Sequence, residues 1–410
     1  MTRTMAEDLP PDIATGPGAA DVLVSVIVPV HGGAGDLDQC LTAIHRSDWA
    51  TLEVIVIDDA SPASDVAAVI ERHGVRHRRI ERRSGPAAAR NAGAELARGE
   101  ILFFTDADVV LHTDAIAKAV SALQSDPELS AVIGSYDDTP AHPSLLSRYR
   151  NLFHHWNHQV GREQASTFWS GCGAIRRTVF AEAGGFNADY REPSVEDIEL
   201  GYRIRQTGHR IRLHKAMLAT HLKRWRFGDM IRTDIFRRGV PWTALLLQHR
   251  SAPPDLNLNR RARVATVAAA LFPIACILAI WQGGATALLP TLILLAAAAI
   301  SGLANSFDTA AGAPMKRGNA LVSASVWIGV GAALAALIWT TSLWALVPLG
   351  LIVVVVTTQR AFYRLLADRG GPGFAFAAIP LQLLFFISCA VSVPLGWLSW
   401  LGQRQAGRKH

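Results

Sequence analysis

Three uninterrupted apolar runs punctuate the first quarter of the chain: "VSVIVPV" (24–30), "LEVIVIDDAS" (52–61) and "EILFFTDAD" (100–108). Between them, at roughly 36–47, 63–73 and 86–98, apolar and polar residues alternate with a helical period. The third of these segments, "PAAARNAGAELAR", opens with a proline after a glycine, a first-turn arrangement for a helix. Continuous apolar strands alternating with helices predict an α/β fold, a mostly parallel sheet with helices on both faces. Ligands of such sheets bind at the carboxyl ends of the strands. That rule lines His31, Asp58, Asp59, Asp106 and Asp108 along one edge.

The pattern changes near residue 263. From Val264 to Trp400 the charged residues are Asp308, Lys316, Arg317, Arg360, Arg364, Asp368 and Arg369, seven in all. Apolar segments at 264–282, 285–304, 320–339, 341–357 and 374–401 each approach or exceed the ~20 residues that cross hydrocarbon. An α-helical transmembrane domain is therefore expected over 263–403, after an α/β domain over 21–225. Residues 226–262 would form amphipathic interface helices and a linker, and 404–410 a tail. The bases sit in the longer loops at 305–318 and 358–373 and at Arg260, Arg261 and Arg263. By the positive-inside rule these are cytoplasmic, which predicts a multi-pass protein of the inner (plasma) membrane with the α/β domain on the cytoplasmic side. Pro380 and Pro394 leave room for a bent or re-entrant last segment. No ionisable residue lies deep in a span, which argues against an ion pump or proton-coupled transporter.

The net charge of +6 fits this topology and attraction to anionic lipid, so no nucleic-acid partner is expected. Cys40, Cys172, Cys276 and Cys389 lack metal or disulfide spacing and read as reduced thiols. The first twenty residues have no apolar core and no cleavage pattern, so they read as a disordered arm rather than a signal peptide. Nothing in the sequence sets the oligomeric state.

Asp106 and Asp108 carry the first chemical question. Two like charges so close repel unless a cation sits beside them. A divalent metal carrying a phosphorylated ligand would serve; a solvated acidic turn would also serve. "SVEDIELGYRI" offers a further acid pair, Glu196 and Asp197, at the start of a helical stretch. There a carboxylate could take a proton from a hydroxyl, or merely favour the helix N-terminus. "SGCGAIRR" (170–177) supplies glycines that allow close backbone approach, to a ligand or within a tight turn. The turn after Val30, "HGGAGD", is not the G-x-G-x-x-G of a dinucleotide enzyme.

Five pieces in order, "VSVIVPVHGG", "VIVIDDASPASD", "RSGPAAARNAGAELARGEILFFTDADVVL", "SGCGAIRRTVFAEAGGFNADYREPSVEDIELGYRIRQTGHRI" and "HLKRW", resemble inverting glycosyltransferase family 2 over about residues 23–245. The resemblance implies a GT-A catalytic domain, a nucleotide-sugar donor and Mg2+ or Mn2+. It implies donor contacts from Pro29, Asp59, Arg90 and Asp106, metal binding by Asp108, catalytic base work by Asp197, and an acceptor-side position for Gly171. "HLKRW" (221–225) is similar to the Q-x-x-R-W motif of membrane-bound, bacterial-type members, with His221 in place of Gln. Arg224 would then meet donor phosphates and Trp225 would line the acceptor entrance. His221 becomes a candidate metal ligand, since neutral imidazole suits divalent transition metals.

The segment 226–250 mixes Arg226, Arg232, Arg237 and Arg238 with Phe227, Ile231, Phe236 and Trp242. It reads as a helix lying on the membrane face, its arginines towards lipid headgroups. A membrane lipid or polyprenyl-type acceptor is the expectation that follows. A processive polysaccharide synthase is the alternative; a scaffold or transporter with an inactive transferase domain is a third reading, which the intact Asp106, Asp108 and Asp197 oppose.

Overall fold

The computed structural model describes residues 22–62, 65–249, 259–310, 320–340 and 342–406. The expected arm at 1–20, the linker around 250–258, Lys316, Arg317 and the tail beyond 406 lie outside the described residues.

Strands β1 (Val24–Val30) and β2 (Leu52–Asp59) flank helix α1 (Ala34–His45). Helix α2 (Asp65–His73) leads to β3 (Arg76–Ile80), and α3 (Pro86–Leu96) leads to β4 (Ile101–Thr105). After β5 (Val109–Leu111) come α4 (Ala115–Ser125), β6 (Leu129–Tyr136) and α5 (Leu145–Val160). Then follow β7 (Gln164–Ala165), β8 (Cys172–Arg176), α6 (Arg177–Glu182), α7 (Glu196–Gln206) and the long β9 (Arg210–His221).

The strands form one sheet in the order β3-β2-β1-β4-β8-β6-β9-β5, with β7 paired to β9. From β3 to β4 all neighbours are parallel. Beyond β4 the sheet is mixed: β8 runs antiparallel to β4 and β6, β6 is parallel to β9, and β5 and β7 are antiparallel to β9. The mostly parallel expectation thus holds for the first four strands only. Side chains alternate across the pleat as the period of two requires. Val24, Val26 and Val28 face a core with Leu37, Val66 and Val120 from α1, α2 and α4. Ile27, Ile55 and Ile57 face the opposite core with Ala87, Val179 and Leu200 from α3, α6 and α7. Each such fully buried Val or Ile contributes about 1.5–3 kcal/mol, so the register that fixes the strand ends is strongly set.

After β9 the chain enters helices: α8 (Phe227–Arg232), a π-helical stretch (Thr233–Gly239) and α9 (Val240–His249). Helices α10 (Arg260–Gly283), α11 (Leu289–Ala310), α12 (Ala320–Thr340), α13 (Leu346–Thr358) and α14 (Arg360–Ala406) complete it. Stretches Arg260–Gly283, Ala285–Gly302 and Arg360–Gln405 are long and apolar enough to cross a membrane; Val326–Thr340 and Leu343–Thr358 are shorter apolar helices. Their outward faces carry large apolar side chains, Trp281, Trp327, Ile338 and Trp339 among them. Within α14 the helix breaks at Gly371, whose φ is +81°. The break separates a charged leading section with Arg360, Arg364 and Arg369 from the apolar remainder.

Helix α5 belongs to both halves. Tyr149, Leu152 and Phe153 share a core with Phe362, Phe374, Phe385 and Phe386 of α14. The Tyr149 hydroxyl donates to Gln382 Oε1 at 2.7 Å. Arg150 makes two bonds to the buried Asp234 carboxylate, at 2.7 and 3.2 Å, and Arg369 pairs with Asp138.

Candidate active site

Parallel pairing brings the carboxyl ends of β1, β2 and β4 side by side. Asp58 there accepts the Ser61 N–H at 2.8 Å and pairs with Arg79. His31 Nδ1 donates to the Asp59 carbonyl at 2.7 Å. The Asp59 carboxylate accepts two backbone N–H groups, Ser84 at 2.7 Å and Gly85 at 2.8 Å. It therefore anchors the loop that starts α3. Gly85 has φ +91°, and a Cβ on it would lie 2.3 Å from the Arg191 carbonyl oxygen, so only glycine fits. Pro29 sits in β1 opposite Ile57 and is partly exposed.

Arg90, on α3, answers the charge problem of Asp106. Its buried guanidinium donates to Asp106 at 2.6 Å and to Glu196 at 2.9 Å, and lies over the Phe186 ring at 5.4 Å. Burial alone would push the guanidinium down, but Asp106 and Glu196 outweigh it and hold it charged. This is a cross-link between two acids rather than a side chain reaching for solvent.

Asp108 meets a different partner, the His221 imidazole. The Leu222 N–H donates to its carbonyl at 2.9 Å, pinning the turn to the end of β9. That pairing brings Asp108 Oδ2 within 3.4 Å of His221 Nε2. Asn151 of α5 orients the imidazole: its Nδ2 donates to the His221 carbonyl at 3.3 Å, and its Oδ1 accepts from Nδ1 at 3.2 Å. The ring also stacks on Tyr136, centroids 4.5 Å apart. Burial pushes the Asp108 carboxyl up, but the charge and hydrogen bond of His221, with Lys223, hold it below the usual range.

With Nδ1 bonded to Asn151, Nε2 is the nitrogen turned to Asp108, and an imidazole so held suits a metal ligand. The Asp108 carboxylate oxygens suit Mg2+ or Mn2+, and the imidazole nitrogen suits a divalent transition metal. Among the described residues no group of three His, Cys, Asp or Glu side chains is arranged to hold a metal ion. A metal here would complete its shell with phosphate oxygens and water, as Mg2+ commonly does.

Asp197 lies in the first turn of α7, next to Glu196. The Ser170 N–H and hydroxyl approach its Oδ2 at 3.4 and 3.5 Å. Burial first and the neighbouring Glu196 second push its carboxyl up to about 7, against the opposing pull of Arg90 and Arg238. Such a group can both take and hold a proton near neutrality, the range that suits a general base.

Gly171 follows Ser170, which approaches this carboxylate, and its carbonyl accepts the Thr105 hydroxyl at 3.1 Å. A Cβ on it would lie 2.8 Å from the Trp169 ring, so internal packing already demands glycine there. Trp225 is buried, and its N–H donates to Ser147 Oγ at 2.9 Å. Its ring lies between Lys223 at 4.6 Å and Arg150 at 5.0 Å. Arg224, expected at the donor phosphates, is exposed, and its charge acts on His142, away from the acids.

In the segment 226–250, Arg226, Arg232 and Arg238 are exposed. Arg237 reaches Glu192 at 3.4 Å, Asp234 is buried against Arg150, and Trp242 Nε1 donates to the Tyr202 hydroxyl at 3.2 Å. Arg238 acts on Asp197. Phe227 and Phe236 are the exposed apolar residues of this stretch. Sequence reasoning missed Asn151 and Tyr136, which frame His221 and carry no motif, and passed over Lys223 within "HLKRW".

Parts of the chain are similar to known proteins. Residues 25–184 match the family model for glycosyl transferase family 2. A pre-mycofactocin glycosyltransferase of Mycobacterium tuberculosis is 28% identical over 280 residues, covering 65% of this chain and 56% of the relative. Validoxylamine A glucosyltransferase of Streptomyces hygroscopicus subsp. limoneus is 26% identical over 245 residues, 51% of this chain and 54% of the relative. The chain thus spans about half the length of the curated relatives it matches. A solved mannosyltransferase from Pyrobaculum calidifontis, in complex with GDP-Man and Mn2+, is 22% identical over 82% of this chain and 86% of its own, with a TM-score of 0.48. The family match and the mixed α/β sheet followed by apolar helices bear out the fold class expected from the sequence.

Proposed function

We propose that this chain is a membrane-bound, inverting glycosyltransferase that moves a sugar from a nucleotide donor to the hydroxyl or phosphate of a membrane lipid or polyprenyl-type acceptor. The observation that carries the reading is Asp197, a carboxylate raised to about 7 beside the Asp106–Arg90–Glu196 network, within a family 2 domain. Asp197 takes the proton of an acceptor hydroxyl as its oxygen forms the bond to the anomeric carbon. The bond to the diphosphate breaks on the opposite face, its electron pair going to the phosphate oxygen. Asp108 and His221 would hold Mg2+ or Mn2+, which when bound neutralises charge growing on that leaving group. Asp59 keeps the loop at the nucleotide side in place, and Arg90 keeps Asp106 and Glu196 fixed relative to one another.

The membrane helices and the exposed Phe227 and Phe236 support an acceptor that lies in the bilayer. On this reading the chain is a multi-pass protein of the inner (plasma) membrane, its catalytic domain in the cytoplasm. The test is to supply the purified chain with a panel of nucleotide sugars and a lipid extract, and to follow products by mass spectrometry. One sugar added per lipid is the expected result. A ladder of lengths would favour a processive synthase, and no transfer from any donor would remove the proposal.

A further inference from the structure

Two opposite charges lie buried where the catalytic half meets the membrane helices. They are Arg150 of α5 and Asp234 of the π-helical stretch, 6% and 5% exposed. Arg150 grips the carboxylate as a fork, Nη2 to Oδ1 at 2.7 Å and Nη1 to Oδ2 at 3.2 Å. The guanidinium also lies 5.0 Å from the centre of the Trp225 ring and 5.8 Å from that of Phe385 in α14. Ser147, one turn earlier on α5, accepts the Trp225 N–H at 2.9 Å. So α5 holds the last residue of "HLKRW" at its backbone and at its ring, and the same arginine binds the stretch that follows.

That stretch is unusual in itself. Helical turns bonded i to i+5 are rare and occur mostly at functional sites. Asp234 is buried on Arg150, while Phe236, two residues on, is exposed. At the end of the stretch, a Cβ on Gly239 would lie 2.1 Å from Ser392 Oγ of α14 and 2.7 Å from the Asp234 carbonyl, so the turn is pressed against the membrane helix. Buried ion pairs are often matched or bettered in stability by apolar residues of the same volume. Stability alone therefore gives no reason for a charged pair here. What the fork supplies is a fixed angle, since a guanidinium and a carboxylate meet in one planar geometry.

We propose that Arg150 is a positioning residue for the lipid acceptor: through Asp234 and Trp225 it sets the wall of the acceptor entrance, with Trp225 on the catalytic side and Phe236 on the bilayer side. The inference rests on the proposed function and on the place at the acceptor entrance that the resemblance implies for Trp225. Among the described residues no hydrogen bond or ion pair joins Arg150 to Asp59, Asp106, Asp108 or Asp197; its carboxylate partner is Asp234. Donor use should therefore stand apart from it.

The test uses the purified full chain and the variants Arg150→Met with Asp234→Leu, Arg150→Met alone, and Arg150→Lys. Donor hydrolysis is followed with UDP-glucose and GDP-mannose, and transfer with vesicles that hold a polyprenyl monophosphate or a diacylglycerol. Thermal unfolding reports the fold. Fluorine-labelled tryptophan, with the Trp225 resonance identified by Trp225→Phe, reports the ring directly. The double variant should melt near wild type and Arg150→Met alone well below it. In the double variant KM for the lipid should rise about 3- to 10-fold, the worth of one aromatic contact, while donor KM and hydrolysis hold and the Trp225 resonance moves or broadens. Arg150→Lys keeps the charge but loses the fork, so it should show part of the same rise; it supplies the reading if the double variant does not fold. The proposal is overturned if lipid KM in the folded variant matches wild type, or if donor and lipid KM rise together. Wild type that hydrolyses donor but transfers to neither lipid ends the lipid-acceptor reading itself, and this inference with it.

Discussion

Replacing Asp197 by Asn separates catalysis from stability. Asn keeps the shape and an oxygen to accept from Ser170, but cannot take a proton. Turnover should fall by roughly 10²–10⁴, the usual worth of general-base catalysis, while donor affinity holds. Wild-type turnover should rise about tenfold per pH unit up to about pH 7 and then level, because the carboxylate must be free of its proton. The variant should lack that limb. Stability moves the other way. A carboxyl raised from its ordinary value near 4 to about 7 holds its proton more tightly in the folded state, so its contribution is full below about pH 4 and lost as pH rises through 7. At 1.36 kcal/mol per pH unit the loss has a ceiling of about 4 kcal/mol. Asn avoids it, so the variant should melt above wild type at pH 8, the gap closing towards pH 4. The assay pairs steady-state transfer with thermal unfolding in one detergent across pH 5–9. Near-normal turnover in the variant, or a donor affinity that collapses while turnover per bound donor persists, would refute the base assignment.

Asp108→Ala should abolish transfer and its response to added Mg2+ or Mn2+, with unfolding temperature nearly unchanged; activity that survives both the substitution and EDTA would remove the metal reading. His221→Gln should weaken the metal response at least tenfold, read as a shift in the metal concentration for half-maximal activity. Gly85→Ala should destabilise by on the order of 1–3 kcal/mol or more, because its Cβ meets the Arg191 backbone at φ +91°; denaturant or thermal melts would report it.

Strands β1 and β2 were legible because fully buried parallel strands are apolar at every position, a pattern few other elements share. The direction of β8 was not, since the short run Cys172–Ile175 reads the same either way. Helix α5 was hidden: it buries Arg148, Arg150, Asn151 and His158 among its aromatics, so its apolar stripe is interrupted. At the site, Asp106, Asp108 and Asp197 stood out as acids near strand or helix ends. That Asn151 of α5 orients His221 could not be read, because the contact joins residues 70 apart in the chain.

Helix α5 has a consequence for how this protein can be divided. One side of it steers His221 through Asn151; another is cemented into α14 through Tyr149 and Phe153. A fragment cut after residue 225 would bare that aromatic side to water and strip Arg150 of its carboxylate, a loss of about 3–5 kcal/mol for a buried pair broken on one side. The anchor is thus not a portable tether. Grafting this catalytic half onto a foreign membrane segment would require rebuilding α5, and the two halves inherit changes together.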